Sequence, residues 1–132
     1  MAATHEDIIH TTFIESNEGR MHFGEVVSRL MLAGVESYQV DYRSKHSIYH
    51  LHTDETLILD LTIPEQAIAA DFSAEKVLAA IRGAQQGAIM YPEFKRLSMQ
   101  AGCIGYWVWI AGRHVTYYGR KGETHVEHFP NK

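Results

Sequence analysis

The sequence is short of several things, and each shortage excludes something. It has one cysteine, Cys103, so no intrachain disulfide can staple it, and a reducing, cytoplasmic location is the expectation. No apolar run approaches the length of a membrane span, and the opening MAATHEDIIHTT lacks both a basic n-region and a long enough apolar core for an export signal, so no membrane partner is expected. Basic residues are outnumbered, 12 Lys and Arg against 16 Asp and Glu for a net charge of -4, and they are scattered singly except at Arg120-Lys121. The electrostatic footprint for a phosphate backbone is missing, which argues against nucleic acid. There is no phosphate-binding glycine loop, no nucleophile elbow and no dinucleotide fingerprint.

What is present is ordinary globular usage: 132 residues, 45% apolar and 21% charged. That composition fits one domain spanning residues 1–132, with enough apolar side chain for a core. Within it the stretch beginning at Ala101, AGCIGYWVWIAGRHVTYYGRKGET, shares its skeleton with AGVESYQVDYRSKHSIYHLHTDET beginning at Ala33. At that offset of 68, residues 5–59 align without a gap on residues 73–127, with roughly eleven identities. Two copies are too few for an open solenoid, so the expectation is a closed domain with an approximate twofold, residues 60–72 joining the copies.

Each copy reads as helix, helix and three short strands. Thr4 with Asp7 resembles a capping box ahead of Ile8, Ile9 and Phe13, and Gly19 closes that helix. Ser73 is the matching N-cap in the second copy, ahead of Val77, Leu78 and Ile81. Second helices are expected from about Gly24 to Ala33 and from Pro92 to Ala101, with Gly34 and Gly102 taking the left-handed position that ends them. Beyond each glycine the apolar period becomes two: Tyr38, Val40 and Tyr42 share a face, as do Tyr106, Val108 and Ile110. With two-residue hairpin turns at SK and AG, Tyr38 faces Tyr49, Tyr106 faces Tyr117, Asp41 meets His46 and Trp109 meets His114. Third strands follow in ETLILDLTI and ETHVEHF. The fold class is therefore α+β, an internal duplication of a helix-helix-strand-strand-strand unit whose antiparallel sheet carries helices on one face.

The copies differ most on the sheet face away from the helices. Trp107, Trp109, His114, Thr116 and Tyr118 cluster there in the second copy, where the first has Gln39 and Asp41 in place of the indoles. Exposed adjacent indoles ask for a cover, and a homodimer interface is the first reading. A platform for a small-molecule ligand and packing against the other copy are the alternatives. On the helix side, His125 and Glu127 fall near Tyr117, where the first copy has Leu57 and Leu59, so that with Tyr106 they could form a small pocket. A one-residue slip would instead turn both outward and bury Val126, and it is the preferred reading. HLH at His50–His52 and HVEH at His125–His128 lack a visible third ligand, so neither a metal nor a cofactor is expected. Cys103 reads as a small buried hydrophobe.

The second-copy string AGCIGYWVWIAGRHVTYYGRKGETHVEHFP, with AIRGAQQGAIMYPEFKRLSMQ before it and GVESYQVDYRSKHSIYH in the first copy, resembles a bacterial family of unknown function whose members are often labelled phage envelope proteins. The resemblance implies no activity, cofactor or catalytic residue. Three functions stay open: a non-catalytic module that dimerises or binds a small ligand; a small enzyme with His125 or His114 as general base, assisted by Glu127 or Tyr117; and a structural or interaction protein of prophage origin.

Overall fold

The computed structural model describes residues 4–129. Helix α1 (His5–Asn17) starts where the capping box predicts: the Asp7 amide donates to Thr4 Oγ1 at 3.1 Å and the Thr4 amide to Asp7 Oδ2 at 3.2 Å. These bonds satisfy amides that the first helical turn leaves without partners. Helix α2 (Phe23–Leu32) packs beside it. After strands β1 (Val35–Asp41), β2 (His46–Leu51) and β3 (Thr56–Asp60), the pattern recurs. Helix α3 (Ala74–Gln85) is capped by Ser73, whose hydroxyl accepts from the Lys76 amide at 3.2 Å, and α4 (Tyr91–Gln100) leads into β4 (Cys103–Trp109), β5 (His114–Gly119) and β6 (Thr124–His128). Helices α2 and α4 each begin one residue before the expected start. Pro92 tolerates the shift because first-turn amides have no intrahelical acceptor. Gly34 (φ 84°) and Gly102 (φ 86°) follow the two helices in the left-handed conformation that the sequence predicts.

All six strands form one antiparallel sheet in the order β3-β2-β1-β4-β5-β6. The seam is the β1–β4 pairing, where Gln39 lies opposite Trp107, a pair related by the same offset of 68. Ser37 then meets Trp109 and Asp41 meets Gly105, so corresponding positions exchange across the seam and the halves are related by an approximate twofold. Tyr38, Val40, Tyr49, Leu51, Tyr106 and Val108 are buried beneath the helices, whereas Gln39, Asp41, Trp107 and Trp109 are half-buried on the other side. The helices thus cover one face only.

The hairpin register is the expected one, with Tyr38 opposite Tyr49, Asp41 opposite His46, Tyr106 opposite Tyr117 and Trp109 opposite His114. The turns are not. Each connection has four residues, 42–45 and 110–113, ending on Lys45 and Arg113 at φ 63°. The longer turn lets Tyr42 and Ile110 drop into the core at 2% and 5% exposure, and the Tyr42 hydroxyl meets Ser98 Oγ at 2.8 Å. Residues 61–73 return along α4: the Ala69 and Ser73 amides donate to the carbonyls of Met99 at 3.0 Å and Ala101 at 2.8 Å.

Candidate functional site

The one-residue slip does not occur. Tyr117 lies opposite His125 and Val115 opposite Glu127, both polar side chains turn to the helix side half-buried, and Val126 is 45% exposed on the other face. Register is set along the whole β5–β6 ladder, and a slip would also bury His128 and Thr124, which are exposed. Glu127 is tolerated inside because α3 supplies a partner: Arg82 Nη1 donates to Glu127 Oε2 at 2.7 Å. Burial pushes that carboxyl up, but the hydrogen bond and charge of Arg82 outweigh it and hold Glu127 below its ordinary value. His125 Nε2 lies 3.6 Å from Glu127 Oε1, is buried, and makes no hydrogen bond.

Tyr106, Tyr117 and Glu127 line a cavity of about 590 Å³ between the helices and the sheet, within the range of small-molecule sites. His125 is not in its wall. It lies behind Tyr117, with ring centroids 6.3 Å apart. The cavity is much larger than a pocket around those residues, because it straddles the seam. Tyr38 and Tyr49 enter from the first half at positions corresponding to Tyr106 and Tyr117 in the second, and Val26 and Phe94 form another such pair. Ring contacts organise the wall: Tyr38 stacks on Tyr49 at 5.3 Å, Tyr106 meets Tyr117 at a tilt with centroids 5.5 Å apart, and Phe94 is edge-on to Tyr106 at 6.2 Å. Burial pushes the Tyr49 phenol up to about 12 and raises Tyr38, Tyr91, Tyr106 and Tyr117 as well, so these hydroxyls stay protonated near neutrality and can donate. One such donation is made within the wall, from the Tyr106 hydroxyl to that of Tyr91 at 2.6 Å.

Behind the wall sits Lys95, 2% exposed, on the buried side of α4. Its Nζ donates to Asn17 Oδ1 and to the Thr62 carbonyl, both at 2.6 Å, and lies 4.7 Å from the centroid of the Tyr91 ring. Burial alone pulls its ammonium down to about 8. The sequence reading passed over Lys95, Tyr91, Phe94 and Ser47. The alignment carried a signal for Lys95: it stands where the first half has Val27, a charged residue at a position that is half-buried and apolar in the other half.

The outer face holds Trp107, Trp109 and His114 as expected, in a file of rings contributed by four strands, β2, β4, β5 and β6. His50 stacks on Trp107 at 5.8 Å, Trp107 on Trp109 at 4.5 Å, Trp109 meets His114 at 6.3 Å and His114 meets His128 at 5.8 Å. Tyr118 is on this face but outside the file, in the row of Gly105 and Thr124. The ring nitrogens His50 Nε2 and Trp107 Nε1 are buried in the file without hydrogen-bond partners. The HVEH histidines are divided by the sheet, His125 to the helix side and His128 to the outer side. Among the described residues no three His, Cys, Asp or Glu side chains converge as a metal site would require. Cys103 is fully buried, its thiol donates to the Gly105 carbonyl at 3.1 Å, and burial pushes it up to about 11, which suits packing rather than nucleophilic work. No described helix is long and apolar enough to cross a membrane.

Uncharacterised proteins of two mycobacteria are similar to this chain: Rv2012 of Mycobacterium tuberculosis and Mb2035 of Mycobacterium bovis, each 29% identical over 114 residues. The alignments cover 84% of this chain but 66% of each relative, so the chain spans a little under two thirds of the length of the curated relatives it matches. Their names carry no activity and no mention of phage. Residues 7–127, which include most of both halves, of the cavity wall and of the outer aromatic file, match the family described as Protein of unknown function (DUF1398), and the chain belongs to that bacterial family.

Proposed function

We propose that this protein is a non-catalytic cytoplasmic module that holds one small molecule in the cavity at its seam. The observation that carries this reading is the cavity itself: about 590 Å³, walled largely by apolar and aromatic side chains from both halves, with phenolic hydroxyls, Asn17, Ser47 and Glu127 among its polar groups. An apolar enclosure with a few convergent polar groups is what small-molecule sites share. The alternative of acid–base catalysis by His125, Glu127 and Tyr117 is less well supported, since His125 is outside the cavity wall and Glu127 is committed to Arg82.

The test is titration with N-phenyl-1-naphthylamine, an uncharged fluorophore that brightens in apolar enclosures, beside mass spectrometry of small molecules released on denaturing the purified protein. Saturable binding of one probe per chain, weakened about tenfold or more when Val26→Trp or Phe94→Trp fills the space, supports the reading. Absence of both probe binding and retained molecules refutes it.

A second reading rests on the outer file. Two stacked indoles, with Ile58 58% and Val126 45% exposed in the same row as Trp107, make this face a candidate surface for a second copy of the chain. Native mass spectrometry decides it: a dimer that becomes monomeric in Trp107→Ala/Trp109→Ala supports the interface, and a monomeric wild type removes it. A prophage-derived structural role makes the same demand on this face.

A further inference from the structure

Charge around the cavity does not balance. The one carboxylate in its wall, Glu127, is already paired with Arg82 at 2.7 Å. Glu93, two residues from Lys95 on α4, is bound by Arg96, whose Nε donates to Glu93 Oε1 at 3.1 Å. Among the described residues Lys95 itself has no carboxylate within ion-pair distance. Its ammonium is held by an amide oxygen, a backbone carbonyl and the face of a tyrosine, all neutral groups, while 98% of the side chain's residue is withdrawn from solvent. A buried cation held only by neutral dipoles lacks the opposite charge that ordinarily offsets its lost hydration.

Both of the side chains that touch this ammonium, Asn17 and Tyr91, are also in the cavity wall. The Asn17 amide cannot turn away, because its Nδ2 donates to the Phe13 carbonyl at 2.8 Å while Oδ1 receives Lys95. Tyr91 accepts the proton of Tyr106 at 2.6 Å, so its own proton is not used in that bond and remains to be donated. A cation over the ring makes that phenol a stronger donor. One end of the cavity is therefore a hydroxyl donor backed by an unneutralised positive charge, and the other polar side chains of the wall are Glu127, already paired, and hydroxyl, amide and imidazole groups.

Building on the reading of the cavity as a binding site, we infer that its ligand is an organic monoanion: an apolar, ring-sized body whose carboxylate accepts from Tyr91 and supplies the counter-charge of Lys95. Burial alone lowers the ammonium to about 8, and a carboxylate bound beside it would oppose that fall.

The experiment compares three probes of one shape by calorimetry at pH 7 with the full chain: 1-naphthaleneacetate, the uncharged 1-naphthaleneacetamide and the cation 1-naphthylmethylammonium. Acetate binding about tenfold or more tighter than the amide is expected, with the cation weakest. In Lys95→Met, checked for native circular dichroism, the acid-to-amide ratio should fall to about one, while Lys76→Met on the exposed side of α3 should leave it unchanged. If Lys95→Met does not fold, the wild-type ratio decides alone. An amide that binds as well as the acid, or a cation that binds best, overturns the inference and leaves the cavity reading standing. If no probe binds and N-phenyl-1-naphthylamine also fails, it is the cavity reading that is lost.

Discussion

The two halves of the molecule share a backbone and disagree about side chains, and the disagreements are concentrated where chemistry could be done. Strands β1 and β4 are both seven residues long and begin at Val35 and Cys103, and helices α2 and α4 are both ten, beginning at Phe23 and Tyr91. Against that frame the first half has Val27, Gln39, Leu57 and Leu59 where the second has Lys95, Trp107, His125 and Glu127. Each change introduces charge, a ring nitrogen or a large aromatic into a position whose counterpart manages without it. The frame needs only what the halves have in common: the helix-ending glycines, the paired tyrosines and the apolar helix stripes. The first half therefore serves as an internal reference for what the fold requires.

The comparison breaks most sharply at the two glycines. Both take φ near 85°, but a Cβ at Gly102 would lie 2.1 Å from the Asp71 carbonyl oxygen, whereas one at Gly34 would meet the His52 ring at 3.0 Å. A ring can swing aside and a backbone carbonyl cannot. Gly102→Ala should cost about 4 kcal/mol or more and Gly34→Ala about 1 kcal/mol, the ordinary left-handed penalty for a side chain. Urea midpoints of the two variants check this. Equal losses would mean that residues 61–73 move away from α4 as easily as a side chain does.

The glycines were legible because conformation leaves a local signature: a glycine after an amphipathic run marks a helix end whatever surrounds it. The same holds for the Thr4–Asp7 box, the Ser73 cap and the period-two tyrosines, so the order of elements and the hairpin register could be read directly. Turn length was misread because Tyr42 and Ile110 continue the alternating pattern, and only packing shows that they leave the ladder for the core. The orientation of His125 and Glu127 depended on whether α3 would bring Arg82 to meet them, a long-range fact that no local spacing encodes. The cavity was out of reach for the same reason. Its wall is drawn from corresponding positions of both halves, and the sequence could show that they correspond without showing that a seam brings them face to face.

Lys95 gives the next largest effect, and its sign can be worked out. Its folded-state value is about 8 against an ordinary 10.5, so the folded protein releases this proton first. Below about pH 8 both states hold the proton and the buried charge opposes folding. As pH rises toward 10.5 the folded state becomes neutral before the unfolded one, and stability increases. Relative to Lys95→Met, the ligand-free wild type should gain roughly 2 kcal/mol between pH 7 and 9.5 by urea denaturation, because the raised Cys103 thiol and buried phenols, which lower stability as pH rises, act alike in both proteins. Tyr91, in contact with the ammonium, is raised by burial and does not ionise in this window. Lys95→Met, which brings the position close to the Val27 of the other half, should remove that gain and leave a falling profile. Parallel profiles for the two proteins would show that the ammonium is better compensated than its neutral partners suggest.

A smaller loss is expected on the outer face. Trp107→Gln gives the seam a glutamine in both halves and removes the ring between His50 and Trp109, which stacks on them at 5.8 Å and 4.5 Å. Its cost should be about 1–2 kcal/mol, the loss of two ring contacts on a half-buried surface, offset in part because Trp107 Nε1 is buried without a hydrogen bond. Measuring this on the monomer by thermal unfolding at low concentration separates it from any effect on assembly. A loss well above that range would indicate that the file is part of the core in energetic terms.

The smallest effect should come from the substitution that looks most disruptive. His125→Leu with Glu127→Leu restores on β6 the residues that β3 carries at Leu57 and Leu59, and removes at once a buried imidazole nitrogen without a partner and a carboxylate that needs Arg82. Removing both members of an imperfectly satisfied buried polar pair for apolar side chains is often neutral or stabilising, whereas removing one leaves the other exposed to the full cost of burial. Arg82 loses its partner, but it is 47% exposed and returns to water. The double variant should thus lie within about 1 kcal/mol of wild type, and Arg82→Met alone, which leaves Glu127 buried without its guanidinium, should be the worse of the two. If the order is reversed, the polar edge of the second half is part of the frame, and the first half has a different way of closing its own edge.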